Sequence, residues 1–343
     1  MDVIIFDMDG VLIDVSKSYR ETIRQTAHVY LKTCLGFEMG KRGPISEEDI
    51  SLFKSIGGFN NDWDLTSGFL LYLLSISGIP PSKKKKRFSS IEEIVSYLRE
   101  KSSRFLQKNT IQLNGKHTTS FIKEVKASGG GLKGVLRTWA GSWDGWVYRS
   151  GELDKENLVK RIFQEVYLGN QFTSHYHLHP HFYQGKGLYL QERLLIPRKI
   201  LSSLGKKMKM GIASGRPRFE AELALKRFRL LPYFNSVVTL DECMEEEARI
   251  FRSTGRRMSC LKPHAYSLLR VIQEIGIPHP KCGYVGDVVD DMLAAQAIKK
   301  KLRMVAIGFL SGRSKLKAFK ESLLRAGADW MIKNPKDLLQ LIP

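Results

Sequence analysis

The sequence predicts an α/β protein: a parallel sheet with helices on both faces, interrupted by a large, mainly helical insertion. Three observations carry that expectation. From about residue 196 to 343, short apolar runs alternate with segments of helical spacing. A further run, Val3-Ile4-Ile5-Phe6, is too short for a helix and reads as a strand buried on both faces. Between the two lies a stretch whose first hundred residues carry a helical period. Parallel strands need right-handed crossovers, so the first run belongs in the later sheet. The expected organisation is a core of residues 1–14 and 196–343, with residues 15–195 as an inserted second domain.

In chain order, Tyr19, Ile23, Ala27, Tyr30 and Leu31 share one helical face, with Ser16 or Ser18 available to cap it. Gly36 and residues 40–44 break that helix, and the polar, aromatic stretch 57–64 leads into an apolar helix around 69–74. Residues 78–81 and the basic run 83–87 read as an exposed connector. Ser89 and Ser90, each with a glutamate three residues on, offer capping boxes for a helix whose face is Ile91, Ile94, Val95, Leu98 and Phe105. From about 112 to 190 only a glycine break at 129–131 and a helix through Leu158, Ile162, Val166 and Tyr167 are legible. Beyond 196 the expected strands are 209–213, 236–239, 282–285, 304–307 and 330–332. Residues 214–217 open a helix whose first turn contains Pro217 and which carries Phe219, Leu223 and Phe228, and further helices cover 264–275, 290–298 and about 316–324.

A chain of 343 residues can bury a sizeable core and is naturally read as two domains. No apolar run is long enough to cross a bilayer, and the first apolar segment is short, without a basic leader, and followed by acids, so no signal peptide is expected. Four scattered cysteines, Cys34, Cys243, Cys260 and Cys282, form no CxxC pair, which reads as a reduced, cytoplasmic protein without a cysteine-built zinc site. The net charge of +20 is compatible with a nucleic-acid partner, an anionic small substrate or a merely charged surface. Much of it lies in the runs 83–87 and 299–301, and no nucleic-acid motif accompanies it.

Four short motifs fall where strands should end, on one edge of the sheet. Asp7 and Asp9 stand two apart before Gly10, at the carboxyl end of the first strand, where open α/β sheets bind ligands. A carboxylate there can hold a hard cation or attack an electrophile. Ser214 and Gly215 follow the second strand just before a helix, combining a hydroxyl with N–H groups suited to an anion. Lys262, before Pro263 and the next helix, offers an ammonium to neutralise phosphate charge. Gly286-Asp287, with Asp290 and Asp291 just beyond, supplies more carboxylates for a cation. Each motif alone is common in turns; their joint order is specific.

With these residues the chain resembles the haloacid dehalogenase superfamily of phosphatases and phosphotransferases. Asp7-Met8-Asp9-Gly10 matches the first motif, Ser214 the second, Lys262 the third, and Gly286-Asp287 with Asp291 the fourth. The insertion between the first and second motifs resembles the branch with a helical cap, which includes phosphoglycolate phosphatase and β-phosphoglucomutase. The resemblance implies a Rossmann-like core, an enlarged helical cap, and Mg²⁺-dependent hydrolysis of a small phosphorylated metabolite such as phosphoglycolate. It implies Asp7 as nucleophile and Asp9 as acid and base. Ser214, the Gly215 amide and Lys262 would hold the phosphoryl oxygens. Mg²⁺ would lie on the Asp7 carboxylate, the Asp9 backbone carbonyl and Asp287, with Asp291 orienting them. A halide leaves unprotonated whereas an alkoxide needs a proton, so Asp9 argues for phosphoryl transfer. Phosphomutase, histidinol-phosphate or sugar-phosphate phosphatase, and a nucleic-acid end-processing phosphatase are the alternatives.

Weaker signals lie mostly in the insertion. Asn60, Asn61 and Asp62 are candidate substrate contacts, and Arg216 either binds a second anionic group, caps its helix or pairs with an acid. His175, His177, His179 and His181 would share one side of a strand and could take zinc, unless the run around Pro180 is a surface loop. Trp139, Trp143 and Trp146 either stack on a ligand or pack a small satellite core.

Overall fold

A computed structural model describes residues 1–39, 43–59, 61–105, 115–299, 301–310 and 317–340. The chain divides into two compact units, one of Met1–Val15 with Arg193–Pro343 and one of Ser16–Glu192.

The first unit is built on a six-stranded parallel sheet. Its strands are β1 (Val3–Phe6), β4 (Lys209–Ala213), β5 (Ser236–Val238), β6 (Cys282–Gly286), β7 (Met304–Phe309) and β8 (Trp330–Ile332), in the order β5-β4-β1-β6-β7-β8. A two-stranded ribbon of β2 (Ile13–Asp14) and β3 (Arg193–Leu194) stands where the chain leaves and re-enters this unit. All four residues of β1 are fully buried, as a central strand covered on both faces requires. Val3 and Ile5 face a cluster with Leu268, Val271, Tyr284 and Met292, while Phe6 meets the Phe234 ring edge-on at 6.1 Å. From β1 the order runs outward through β4 and β5 on one side, then through β6, β7 and β8 on the other. That reversal beside β1 is the topological switch point at which open sheets bind ligands.

Register aligns the strand ends. Phe6 stands opposite Ile212 of β4 and Val285 of β6, so Asp7, Ser214 and Asp287, each one or two residues beyond that level, emerge on one edge. Helices Arg218–Arg227, Tyr266–Ile275, Val289–Lys299 and Lys317–Arg325 provide the expected crossovers. Three helices of this unit are not among the expected ones: Arg198–Gly205, Asp337–Gln340 and the longest, Leu240–Thr254, begun by a Thr239–Glu242 capping box and ended at Gly255. Charge explains the miss for Leu240–Thr254: the acidic residues 245–247 stand among Leu240, Cys243, Met244 and Phe251, which share helical spacing, and only Leu240 and Cys243 are buried.

The second unit is helical, as expected. Its main helices are Tyr19–Val29, Asp62–Ser75, Ile91–Ser103, Gly115–Ala127 and Leu158–Leu168. Ser90 caps Ile91–Ser103 through the Glu93 N–H, and Ser89 binds the Glu93 carboxylate, so both serines share one glutamate. The tryptophans pack against aromatic and backbone neighbours to different depths, with Trp146 buried, Trp143 half-buried and Trp139 exposed. Tyr72 stacks on Phe121 at 4.3 Å, and Trp139 meets Phe121 edge-on. Trp143 and Trp146 donate their indole N–H to the carbonyls of Ile79 and Pro80, and Trp146 is 1% exposed. Those bonds pin the basic connector: Lys85 pairs with Asp144, and Lys86 lies over the Tyr97 ring.

The histidine array is not a strand. His175 lies in the helix Gln171–Tyr176 and His177 is left-handed at φ 55°, so the alternation that would align four imidazoles is lost. A buried ion pair shapes the segment instead. Arg161 and Glu165, one helical turn apart, meet at 2.6 Å; Arg161 also donates to the His179 carbonyl. The other Glu165 oxygen accepts the backbone N–H groups of His181, Phe182 and Tyr183 at 2.6–3.1 Å. Among the described residues no histidine belongs to a group able to hold a metal.

Two outcomes follow from this packing. Glu165→Ala removes the partner of a buried guanidinium and the acceptor of three N–H groups, and should cost about 3–5 kcal/mol in denaturant unfolding. All four thiols are buried, and burial pushes Cys243 up to about 12 and Cys282 up to about 11. A thiol-reactive dye at neutral pH should therefore label the native protein slowly and the denatured protein at four sites.

Candidate active site

The site grows from the carboxyl end of β1. The Asp7 N–H donates to the Val285 carbonyl at 2.8 Å, which continues the sheet one residue past Phe6 and fixes where the carboxylate begins. The chain then turns back: Leu12 and Ile13 both donate to the Met8 carbonyl, and Gly10 donates to Ile13. Gly10 takes φ +78°, and a Cβ there would lie 2.0 Å from Asp287 Oδ2. The turn thus needs glycine twice, for its backbone and for the approach of Asp287.

Asp287 and Asp291 come from the end of β6 and the helix after it. Asp291 Oδ2 accepts the N–H groups of Asp287 and Val288 at 3.0 and 3.1 Å. Its Oδ1 accepts from Lys262 Nζ at 2.8 Å and from the Tyr284 hydroxyl at 2.6 Å. With both oxygens engaged, Asp291 orients its neighbours. Gly286 permits this closeness, since a Cβ there would fall 2.3 Å from that of Asp291. Lys262, joined to Pro263 by a cis peptide bond, also donates to Asp7 Oδ1 at 2.8 Å and so bridges two carboxylates.

Ser214 closes the third side. Its N–H donates to Val238, and its hydroxyl oxygen accepts the Arg216 N–H at 3.1 Å. Gly215 between them is exposed. Arg216 is 2% exposed and turns its guanidinium to Asp9, with Nε and Nη2 reaching the same oxygen at 2.7 and 2.6 Å. Of the readings open to Arg216, the structure shows the one in which it pairs with an acid. Pro217 stands just before the helix Arg218–Arg227 and not within its first turn.

Burial pushes the Asp7 carboxyl well above its ordinary range; Lys262 opposes this, while Asp291, Asp287 and Asp9 add to it. Burial lowers Lys262, but Asp291 and Asp7 outweigh it and hold the ammonium above its usual value. The two shifts describe one cluster, in which three buried carboxylates face a single ammonium. Ligand atoms of Asp7, Asp287 and Asp291 lie within 4.8 Å of one another. That donor set is all oxygen, carries two net negative charges with Lys262, and sits against a glycine that keeps space for it. It fits a hard divalent cation. Asp9 does not contribute its carboxylate to that group, since Arg216 engages it.

The structure therefore brings together Asp7, Asp9, Ser214, Arg216, Lys262, Asp287 and Asp291. In the other unit, Asn61 caps the helix Asp62–Ser75 by accepting the Asp64 N–H, and Asp62 pairs with Lys54 at 2.8 Å. Asn60 lies outside the described residues. Tyr284 was not singled out from sequence; its one signal is a hydroxyl within an otherwise apolar strand.

Comparison with known proteins agrees with this geometry. Residues 197–305 match the family described as haloacid dehalogenase-like hydrolase. The chain is 22% identical over 320 residues to an imidazoleglycerol-phosphate dehydratase of Phytophthora nicotianae, covering 93% of this chain and 45% of that one. It is 27% identical over 151 residues to pyrophosphatase PpaX of Bacillus pumilus, covering 44% of this chain and 58% of that one. The chain thus spans about half the length of the curated relatives it matches. A structural-genomics crystal structure shares the fold at TM-score 0.60 and 18% identity, over 99% of this chain and 98% of that one. The parallel core and the four motifs on one sheet edge agree with the match to the haloacid dehalogenase-like hydrolase family over residues 197–305.

Proposed function

We propose that this chain hydrolyses a small-molecule phosphomonoester through a phosphorylated Asp7. The observation that supports it best is the setting of Asp7: a strand-end carboxylate bridged by Lys262 and grouped with Asp287 and Asp291. In the first step an Asp7 oxygen bonds to phosphorus as the bond from phosphorus to the leaving oxygen breaks, and Asp9 gives that oxygen a proton. In the second, Asp9 takes a proton from water, the water oxygen bonds to phosphorus, and the bond from Asp7 to phosphorus breaks. Ser214, the Gly215 amide and Lys262 hold the phosphoryl oxygens as charge moves among them. Asp7, Asp287 and the Asp9 carbonyl would hold Mg²⁺, whose role is to offset charge between carboxylates and phosphate. Asp291 and Tyr284 keep Lys262 and Asp287 in place.

The superfamily resemblance assigns the inserted unit the cap role, and phosphoglycolate leads the substrates on that ground alone. The names of the two relatives add a phosphorylated imidazole compound and pyrophosphate to the compounds worth testing.

A phosphate-release screen over phosphoglycolate, histidinol phosphate, sugar phosphates, imidazoleglycerol phosphate and pyrophosphate tests the proposal. Wild type should release phosphate, Asp7→Asn should not, and Asp9→Asn should lose about 10²–10⁴-fold on alkyl phosphates. Equal release by wild type and Asp7→Asn would sink the mechanism.

Chelation should abolish turnover and added Mg²⁺ should restore it. Gly10→Ala forces a side chain onto Asp287, so its half-saturating Mg²⁺ concentration should rise on the order of 10–100-fold. An unchanged Mg²⁺ requirement would show that Asp287 is not a ligand.

A further inference from the structure

Arg216 is more deeply buried than Asp9, the acid it meets: its side chain is 1% exposed, against 30% for that of Asp9. Its backbone is held at two points. Its N–H donates to Ser214 Oγ, and its carbonyl accepts the Leu240 N–H at 2.9 Å, at the start of the helix Leu240–Thr254. The guanidinium is thus launched from a fixed position between the ends of β4 and β5. Its Nε and Nη2 converge on Asp9 Oδ1 at 2.7 and 2.6 Å. Two charge-assisted hydrogen bonds to one oxygen fix the plane of a carboxyl group more firmly than one.

We infer that Arg216 is a positioning residue for the acid–base step: by holding Oδ1 with two N–H groups it fixes the orientation of the Asp9 carboxyl toward the leaving oxygen. This rests on the phosphatase reading above and adds to it a residue that acts through Asp9 and not on the substrate. The consequence is selective. A leaving oxygen of high basicity, as in an alkyl phosphate, cannot depart without a proton, whereas a nitrophenolate can. A buried arginine that only supported the fold would affect both substrates alike. One that bound a second anionic group of the substrate would act on KM.

The experiment compares wild type, Arg216→Lys, Arg216→Gln and Asp9→Asn on p-nitrophenyl phosphate and on an alkyl phosphate turned over by wild type. Arg216→Lys keeps the charge but cannot place two N–H groups on one oxygen, and it covers the case in which Arg216→Gln fails to fold. Circular dichroism and melting temperature confirm that each variant is folded. The expected result is a loss in kcat at least tenfold larger for the alkyl than for the aryl substrate, with KM within about twofold. The Arg216→Lys/Asp9→Asn double variant should be no slower on the alkyl substrate than Asp9→Asn alone. Equal losses on both substrates, a change confined to KM, or additive losses in the double variant each overturn the inference. If wild type is active and Asp7→Asn is dead, those outcomes leave the phosphatase reading standing. If wild type releases no phosphate from any substrate with Mg²⁺ present, both fall.

Discussion

The core unit depends on keeping three carboxylates buried around one ammonium. Asp7, Asp287 and Asp291 are 7%, 4% and 0% exposed, and each would repel the others in so dry a place. Burying like charges is costly unless hydrogen bonds and counter-charge offset it. Here Lys262 reaches Asp7 and Asp291, and Asp291 also accepts from the Asp287 and Val288 N–H groups and the Tyr284 hydroxyl. The fold pays for this arrangement at one place, the turn after β1, where only glycine lets Asp287 approach. A cation completes the same logic, and so the charge cluster, the glycine turn and the sheet register are aspects of one constraint.

A second buried pair does similar work in the helical unit with a different result. Arg161 and Glu165 lie on one helix, yet most of their hydrogen-bonding capacity is spent on the backbone of residues 179–183. There the buried charge orders a chain segment. In the core unit it concentrates reactive groups. The difference lies in what surrounds each pair: Glu165 is met by N–H groups of a loop, while Asp7 is met by other acids at a strand end.

Much of the core was legible because its signals are local. β1 is a four-residue apolar run, Gly10 follows two acids, and Pro217 and Pro263 mark helix starts, so strand positions and motif positions could be read one segment at a time. The helix Leu240–Thr254 was not legible, since a charged run interrupts its few apolar residues and only two of them are buried. Tyr284 was hidden in an apolar run because its partner, Asp291, becomes a neighbour only after the helix folds back over β6. In the helical unit the four histidines suggested an extended array, but a helix and one left-handed residue overrule alternation. The tryptophans carried two readings, and for Trp143 and Trp146 the carbonyls of Ile79 and Pro80 decided for packing.

The sequence by itself determined the class of fold, the sheet edge that bears the chemistry and the identities of the acids and the lysine. Each of these follows from residue type and short-range spacing. Tertiary structure alone decided which charge meets which: that Lys262 bridges Asp7 and Asp291, and that Arg216 belongs to Asp9, 207 residues away in the chain. Such pairings are set by strand register and by the crossing of chain segments far apart in sequence, and no local pattern encodes them.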